Sequence, residues 1–209
     1  MTYPPEPWDL RGQLYASAFL VPLADVPVDI PTGCEAVRIG RYGVVGVAWV
    51  DYGPDGVMQY RELMATLLVR QGLRLMPTIT HIWVDSPSSR DGGRALWGIP
   101  KELAEFDFDG ANLSARDAVG PLAHGTVSRL VALPGRWPTG FRVAQWLGGK
   151  PKFSPVRSRS TVEVSRATFV ADASGPLAFL AGRRPFASFT LRDFRMCFGS
   201  RGASASMER

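Results

Sequence analysis

Glycine and proline punctuate this sequence along its whole length. The chain has 209 residues, of which 22 are glycine and 17 are proline, and this density favours many short strands joined by turns. Hydrophobic residues make up 45% and charged residues 21%, as in a globular rather than a disordered protein. The length fits one domain. We therefore predict a single mostly-β domain over residues 1–200, with a strongly curved antiparallel sheet or barrel and a few short helices, followed by a disordered tail over residues 201–209.

The first half of the chain reads as a β-hairpin followed by a further strand. The β-branched and aromatic run "RIGRYGVVGVAWVDYG" (38–53) ends in the turn "DYGPDG", and "VMQYRELMATLLVR" (57–70) returns from it. The returning segment fits a helical spacing as well as a strand alternation, and the turn before it favours the strand. "TITHIWVD" (78–85) is predicted as a strand, and "SPSSRDGGR" (86–94) as a loop because of its paired glycines.

The remaining elements are assigned from shorter signals. One helix is predicted to begin near Ser174, with Pro176 close to its first position, and to end at Gly182. Further strands are predicted at 13–21, 126–133, 141–147, 161–170 and 187–198.

Charge, cysteine and histidine content exclude several classes of function. The net charge is +5 and the sequence pI is about 9.6, but the arginines are scattered from one end of the chain to the other. The local basic cluster is read as a solvated loop rather than a nucleic-acid site; it consists of Lys150, Lys152, Arg157, Arg159 and Arg166.

Metal and membrane sites are also not expected. Cys34, Cys197, His81 and His124 are the only residues of their types and lack metal-ligand spacing. The start "MTYPPEPWDL" lacks the basic and apolar segments of a signal peptide, and the longest apolar run is broken by Pro22. We therefore expect a cytoplasmic protein with no cofactor, no metal, no nucleic-acid partner and no membrane partner, and we also expect a homo-oligomer.

Lys101 is chemically unusual in this chain, which has three lysines and 21 arginines. A lysine amine can form a Schiff base with a ketone or aldehyde, whereas an arginine guanidinium cannot. Burial beside Trp97 and Ile99 would lower the pKa of the amine and favour this reaction. The local sequence also allows a simpler interpretation, in which the tip of Lys101 lies in water and its stem covers Trp97.

The segment "HIWVDSPSSRDGGRALWGIPKELAEF" (81–106) resembles the signature of the acetoacetate decarboxylase superfamily. Its Gly-Arg-x-x-x-Gly-x-Pro-Lys pattern is the most specific part, and "PPEPWDLRG" (4–12) and "MQYRELM" (58–64) resemble family segments in the expected order. The similarity covers most of residues 4–150 and weakens afterwards. It implies a cone-shaped β-barrel and an activated lysine, a mechanism known for acetoacetate decarboxylase.

The resemblance also implies roles for individual residues. Lys101 matches the Schiff-base lysine, Glu62 matches an active-site glutamate, and Arg11 matches an arginine near the substrate carboxylate. Trp97 and Ile99 are expected at the substrate. A buried glutamate can shuttle a proton, and an arginine can hold a carboxylate through two hydrogen bonds. The simpler alternatives are a structurally paired Glu62 and a surface Arg11.

One residue departs from the family pattern. The decarboxylases have a second lysine after the catalytic one, whereas this chain has Glu102. A carboxylate in the same pocket would favour the charged form of Lys101. In an extended segment, however, adjacent side chains point to opposite faces, and Glu102 then need not affect Lys101.

These observations predict a Schiff-base-forming carbon–carbon lyase that acts on a small keto acid. A β-keto acid would lose carbon dioxide, whereas an α-keto acid such as pyruvate would undergo aldol and dehydration chemistry. One alternative is a non-catalytic small-molecule binding protein that keeps the fold and the pocket. Another is nucleic-acid binding through the basic residues 150–166, which would depend strongly on salt.

Overall fold

A computed structural model describes residues 3–200 of the chain, and strands account for most of them. The α-helix α1 spans Pro87–Trp97, and two short 3₁₀-helices span Leu23–Asp25 and Ala178–Leu180. The thirteen strands are β1 (Trp8–Pro22), β2 (Glu35–Ala36), β3 (Arg38–Ile39), β4 (Tyr42–Tyr52), β5 (Tyr60–Gln71), β6 (Arg74–Val84), β7 (Lys101–Leu103), β8 (Glu105–Asp109), β9 (Asn112–Arg116), β10 (Pro121–Ala132), β11 (Trp137–Leu147), β12 (Lys150–Ala171) and β13 (Ala187–Phe198).

All thirteen strands belong to one sheet. The main order is β7-β6-β5-β4-β1-β13-β12-β10-β9-β8, while β11 pairs with β12, β2 with β5 and β3 with β4. The pairings are antiparallel except for β6 with β7, which run parallel. This parallel pair follows from the chain path, because α1 lies between the two strands and carries the chain back to the start of β7.

The sheet is strongly curled, so that β11 comes to lie against β6. Gln145 forms two hydrogen bonds between these strands: its amide donates to the Ile79 carbonyl at 3.0 Å, and its Oε1 accepts from the Thr78 hydroxyl at 3.4 Å. The prediction of a mostly-β fold with a strongly curved sheet is confirmed. Among residues 3–200, no helix has the length and apolar character needed to cross a bilayer.

Strand β5 shows how the alternation of side chains positions the site. Leu63, Ala65, Leu67 and Val69 are fully buried in a hydrophobic core on one face of the strand. Tyr60, Glu62 and Met64 lie on the other face and line a cavity; these two sets alternate because successive strand residues point to opposite sides. The hairpin interpretation of residues 57–70 is confirmed, and Tyr52 on β4 lies directly opposite Tyr60.

The segment 86–94 is helical, which corrects the prediction of a loop. The Ser86 side chain caps α1 by accepting from the Ser89 N–H at 3.2 Å, and Pro87 occupies the first turn. Gly92 and Gly93 favour irregular structure when judged by helix propensity alone. Packing overrides that preference here, because a Cβ on Gly92 would lie 2.6 Å from the Trp8 ring.

Two further predictions need correction. The segment from Ser174 to Gly182 forms only the 3₁₀-helix Ala178–Leu180 rather than a longer α-helix. The basic cluster lies in the 22-residue strand β12 rather than in a loop; its arginines fit an extended run because alternate side chains of this strand face solvent. The remaining predicted strands are present, most with different bounds, whereas the short strands β2, β7, β8 and β9 were not predicted. The predicted disordered tail over residues 201–209 lies outside the described residues.

The end of α1 is fixed by Gly98. This residue adopts a left-handed conformation with φ 66°, and its N–H donates to the Arg94 carbonyl at 3.1 Å while the Ile99 N–H donates to the Gly93 carbonyl at 3.1 Å. The bond from the left-handed Gly98 to Arg94 is the αL capping motif. A Cβ on Gly98 would lie 1.8 Å from the Trp146 backbone oxygen, so the glycine also allows β11 to approach the helix end that precedes Lys101.

We predict that Gly98→Ala destabilises the fold more than Gly72→Ala. Gly72 has a similar φ of 59°, but a Cβ added to it would have no neighbouring atom within 4 Å, so it reports the conformational cost alone, about 1–2 kcal/mol. Gly98→Ala adds a backbone clash to that cost. Denaturant unfolding of both variants measures the difference, and equal losses would contradict the close contact with Trp146.

Candidate active site

The curled sheet and α1 surround a cavity of about 360 Å³. Most of its lining side chains are apolar and come from β1, β4, β5, β6, β11, β12 and β13. Lys101 and Glu62 both line it and are almost fully buried, with 3% and 2% of their surface exposed. The two charged groups predicted from the sequence therefore lie together in a largely apolar space.

Adjacent strands bring Lys101 and Glu62 to the same side of the sheet. Lys101 is the first residue of β7 and lies opposite Ile82 on β6, whereas Glu62 on β5 lies opposite Val84 on β6. The helix packs over the lysine stem, and a Cβ on Gly93 would lie only 2.8 Å from the Lys101 Cδ. Glycine at position 93 thus gives the lysine room to extend along the helix surface.

The Lys101 ammonium donates to three oxygen atoms. Its Nζ lies 2.8 Å from Glu62 Oε2, 2.9 Å from Ser89 Oγ and 3.4 Å from the Tyr60 hydroxyl. The Nζ also lies 4.9 Å from the centre of the Tyr60 ring, within the range of a cation–π contact. An ammonium has three N–H groups, so all three are satisfied in this structure.

Tyr52 supports the carboxylate from the opposite side. Its hydroxyl donates to Glu62 Oε1 at 3.1 Å, so each oxygen of the carboxylate has a hydrogen-bond partner. Burial, followed by the negative charge of Glu62, raises the pKa of Tyr52 well above its ordinary value. The phenol therefore stays protonated and remains a donor to the carboxylate.

The pKa of Lys101 is raised from its ordinary value. Burial is the largest single influence and acts to lower this pKa, but the Glu62 carboxylate and Tyr60 together outweigh it by charge attraction and hydrogen bonding. Burial of Lys101 agrees with the expectation from the sequence, whereas the net direction of the pKa differs from it. The difference arises because Glu62 lies at hydrogen-bond distance, so the free site holds an ion pair.

Trp97 and Ile99 line the cavity close to the lysine. They are buried, with 2% and 3% of their surface exposed. The Trp97 ring packs edge-on against Trp8 at a centroid distance of 4.6 Å, and its indole N–H donates to Glu6 Oε2 at 2.8 Å. The segment "PPEPW" thus forms part of the wall that keeps water from the Lys101 amine.

Arg11 lies outside this cavity, which corrects its assignment to the substrate carboxylate. Leu10 is buried and lines the cavity, and Arg11 follows it on β1 with its exposed side chain on the opposite face. It lines a separate surface cleft together with Arg159 and Arg195, which lie in register with it on β12 and β13. The alternation of side chains along β1 separates Arg11 from Lys101.

Three polar residues of the site were not predicted. Tyr60 precedes Glu62 by two residues on the same strand face, and Tyr52 lies opposite Tyr60 across the hairpin, so strand alternation could have placed both beside Glu62. Ser89 was not predicted because its segment was assigned to a loop. A Ser-Pro start to α1 would have placed it one turn into the helix, on the face towards β7.

Glu102 points away from the cavity. The Arg94 Nε donates to the Lys101 carbonyl at 2.7 Å, and the same guanidinium forms an ion pair with the Glu102 carboxylate. The Glu102 side chain is 62% exposed, as expected for the neighbour of a buried strand residue. Its carboxylate is therefore solvated, and the departure from the family pattern does not place a second negative charge beside the Lys101 amine.

No group of three or more His, Cys, Asp or Glu side chains within residues 3–200 is arranged to hold a metal ion. The polar groups around Lys101 instead form a hydrogen-bonded set suited to moving protons.

We predict that Glu62→Gln lowers the pKa of Lys101 and that Glu102→Gln leaves it unchanged. The first substitution removes the charge that raises this pKa but keeps the burial that lowers it. Lysine-specific isotope labelling and NMR titration measure the effect, because the chain has only three lysines. The signals of Lys150 and Lys152 serve as internal references.

Equal shifts in the two variants would show that the pair at 2.8 Å does not control the titration of Lys101.

The raised pKa of Lys101 also determines how the stability of the fold changes with pH. Because the folded-state pKa of Lys101 is raised, the pair stabilises the fold fully below pH 10.5, and this contribution is lost as the pH rises through the folded-state pKa.

Comparison with known proteins places this site in a family context. The family model described as acetoacetate decarboxylase matches residues 24–131, a range that contains both Lys101 and Glu62. No curated protein matches the chain by sequence at a significant level.

Solved structures match almost the whole chain. The enduracididine biosynthesis enzyme MppR complexed with pyruvate is 14% identical with a TM-score of 0.71, covering 96% of this chain and 90% of that one. Acetoacetate decarboxylase from Legionella pneumophila is 16% identical with a TM-score of 0.66, covering 95% and 86%. An acetoacetate decarboxylase-like enzyme from Sphingomonas wittichii is 13% identical with a TM-score of 0.63, covering 93% and 91%. With this fold, and with a family model that matches more than half of the sequence, the chain belongs to the acetoacetate decarboxylase family.

Proposed function

We propose that this protein is a lyase in which Lys101 forms a Schiff base with a keto acid. The observation that carries the proposal is the 2.8 Å contact between the Lys101 amine and the Glu62 carboxylate inside a largely apolar cavity. Membership of an enzyme family and structural similarity to an enzyme complexed with pyruvate add support. No cofactor is needed for this chemistry, because the iminium formed from lysine itself accepts the electron pair.

The reaction begins with a proton transfer within the ion pair. Lys101 gives a proton to Glu62, which leaves a neutral amine and a carboxylic acid. Two neutral groups fit an apolar cavity better than two charges once the substrate has displaced water. The amine attacks the carbonyl carbon, and Glu62 returns the proton to the carbinolamine oxygen, which leaves as water to give the iminium.

The fate of the iminium depends on the keto acid. With a β-keto acid, the bond to the carboxylate breaks, carbon dioxide leaves, and the electron pair forms an enamine. With an α-keto acid, the Glu62 carboxylate takes a proton from the neighbouring carbon to form the enamine, which then attacks an aldehyde. In the first route Glu62 helps to protonate the enamine carbon, and water then hydrolyses the iminium and frees Lys101.

A second candidate function is a non-catalytic protein that binds small molecules in the same cavity. The raised pKa of Lys101 favours it, because a lysine kept as an ammonium in the free protein is not yet a nucleophile. The two functions differ in covalent chemistry: an enzyme forms an adduct that borohydride reduces, whereas a binding protein forms none. A homo-oligomeric state and a cytoplasmic location stay predictions.

We predict that borohydride with a panel of α- and β-keto acids traps a covalent adduct on Lys101, and that Lys101→Arg abolishes both trapping and turnover. The guanidinium keeps the positive charge but cannot form an imine. Peptide mass mapping identifies the modified lysine, and circular dichroism checks that the variant is folded. A reduced adduct on Lys150 or Lys152 would show that another lysine reacts, and the absence of any adduct would favour the binding protein.

We predict that Glu62→Gln still forms the imine, because without the Glu62 charge burial lowers the pKa of Lys101 and frees its amine, while water supplies the proton to the carbinolamine oxygen. The later proton transfer at the enamine carbon should slow by about 10²–10⁴-fold. The amide keeps the shape of the side chain and removes its acid–base function. Single-turnover kinetics separate the two steps, with Glu102→Gln as a matched control at an exposed position on β7. Unchanged turnover in Glu62→Gln would remove this residue from the mechanism.

A further inference from the structure

The cavity extends well beyond the reacting groups. A dry cavity of about 150 Å³ holds one benzene molecule, and the cavity here has about 360 Å³. This is enough for an apolar group about twice the size of benzene. Pyruvate and acetoacetate are much smaller than this space, so either of them would leave most of it unfilled.

A row of residues across the sheet shows the direction in which the cavity extends. Lys101 lies opposite Ile82, Ile82 opposite Met64, Met64 opposite Ala48, and Ala48 opposite Ala16. All five line the cavity. Neighbouring strands are about 4.8 Å apart, so this row covers about 19 Å along the curved sheet. Every side chain after Lys101 in the row is apolar.

Small residues keep the far end of this row open. Ala16 and Ala48 form its last pair, and Ala18 lies opposite Gly46 in the next row on the same face. Larger residues at these four positions would fill the space with protein atoms. At the edge, Phe141 and Phe189 also line the cavity while remaining 41% exposed, so its apolar character continues towards the solvent.

The charged side chains that line the cavity also limit which substrates it can bind. Among the described residues that line the cavity, Lys101 is the only cation and Glu62 the only acidic side chain. Arg11 lies on the other face of β1. The hydroxyls of Ser158 and Thr139 also line the cavity. They can donate hydrogen bonds to a carboxylate, but they are neutral and do not supply the opposite charge that would offset its loss of hydration.

The two routes from the iminium differ in where they leave a negative charge. In the α-keto acid route Glu62 takes the proton from the neighbouring carbon, and the remaining charge lies on the substrate carboxylate. In the β-keto acid route that carboxylate leaves as carbon dioxide, and the remaining charge lies on Glu62, which already accepts a hydrogen bond from Tyr52. Because the described lining offers no second cation for a substrate carboxylate, it favours the second route.

We infer that the substrate of this site is a 3-oxo acid with an extended apolar chain, which lies along the row from Ile82 to Ala16. This inference rests on the proposed function. The overall reaction converts the 3-oxo carboxylate and one proton into a methyl ketone and carbon dioxide. Water is released when the imine forms and is consumed when it is hydrolysed, so no oxidant or reductant takes part.

The test compares 3-oxo acids of increasing chain length, from about four to about twelve carbons, with kcat/KM expected to rise about threefold or more for each buried methylene. Carbon dioxide release gives turnover, and borohydride trapping with mass mapping gives the adduct on Lys101. Pyruvate is included in the same panel. The rise should stop when the chain outgrows the cavity.

Two variants test where the chain lies. Ala48→Leu should lower the ratio of long-chain to short-chain kcat/KM by about tenfold or more, because it fills part of the row. Ala16→Leu, at the end of the row, should affect only the longest chains and serves if the first variant folds poorly. Ala111→Leu adds the same atoms at an exposed position outside the cavity and should leave the ratio unchanged.

The outcomes separate this inference from the proposed function. If no keto acid of any length forms an adduct on Lys101, the Schiff-base proposal fails. If short keto acids form the adduct and turn over as well as or better than long ones, Schiff-base chemistry stands and the apolar-chain inference is overturned. A ratio that does not respond to Ala48→Leu or Ala16→Leu would likewise overturn the proposed position of the chain.

Discussion

The buried ion pair between Lys101 and Glu62 is the interaction on which the rest of this site depends. Removing two charges from water is costly, and the attraction between them offsets this cost only when their remaining hydrogen-bonding groups are satisfied. Here Ser89 and Tyr60 accept from the ammonium, and Tyr52 donates to the carboxylate. Helix α1 and strands β4, β5 and β7 must therefore meet at one point, and the parallel pairing of β7 with β6 makes this meeting possible.

Glycines permit the close approach that the ion pair needs. Gly93 leaves room for the Lys101 stem, Gly92 leaves room for the Trp8 ring, and Gly98 lets the helix end against Trp146. A helix with alanine at position 92 or 93 would gain intrinsic helix propensity of about 1 kcal/mol at each. An added Cβ would overlap Trp8 at position 92 or Lys101 at position 93, so packing outweighs local helix stability in the segment "DGGRALWG".

The sequence predicted the parts of this structure that follow from alternation and from strong turns. The hairpin of β4 and β5 follows from patterns within short segments, whereas the cavity positions of Lys101 and Glu62 were expected from the family resemblance. The helix α1 was missed because the reason for its two glycines lies in Trp8 and Lys101, which are distant in sequence. Arg11 was assigned to the site by resemblance, and the alternation of β1, already readable from buried Leu10, directs it to the other face.

Lys101 and Glu102 are successive residues of β7, but their side chains lie in different electrostatic environments. The Glu102 carboxylate lies one residue from the reactive amine, yet it is solvated and paired with Arg94, whereas Glu62 is distant in sequence and raises the pKa of Lys101 from 2.8 Å away. The lysine is therefore held as an ammonium until the cavity is filled. An apolar occupant displaces water from around the pair and favours transfer of the proton to Glu62, because neutral groups lose less by desolvation than charged ones. In the proposed reaction, the same contact that keeps the amine protonated in the free protein provides the base that activates it when a substrate is bound.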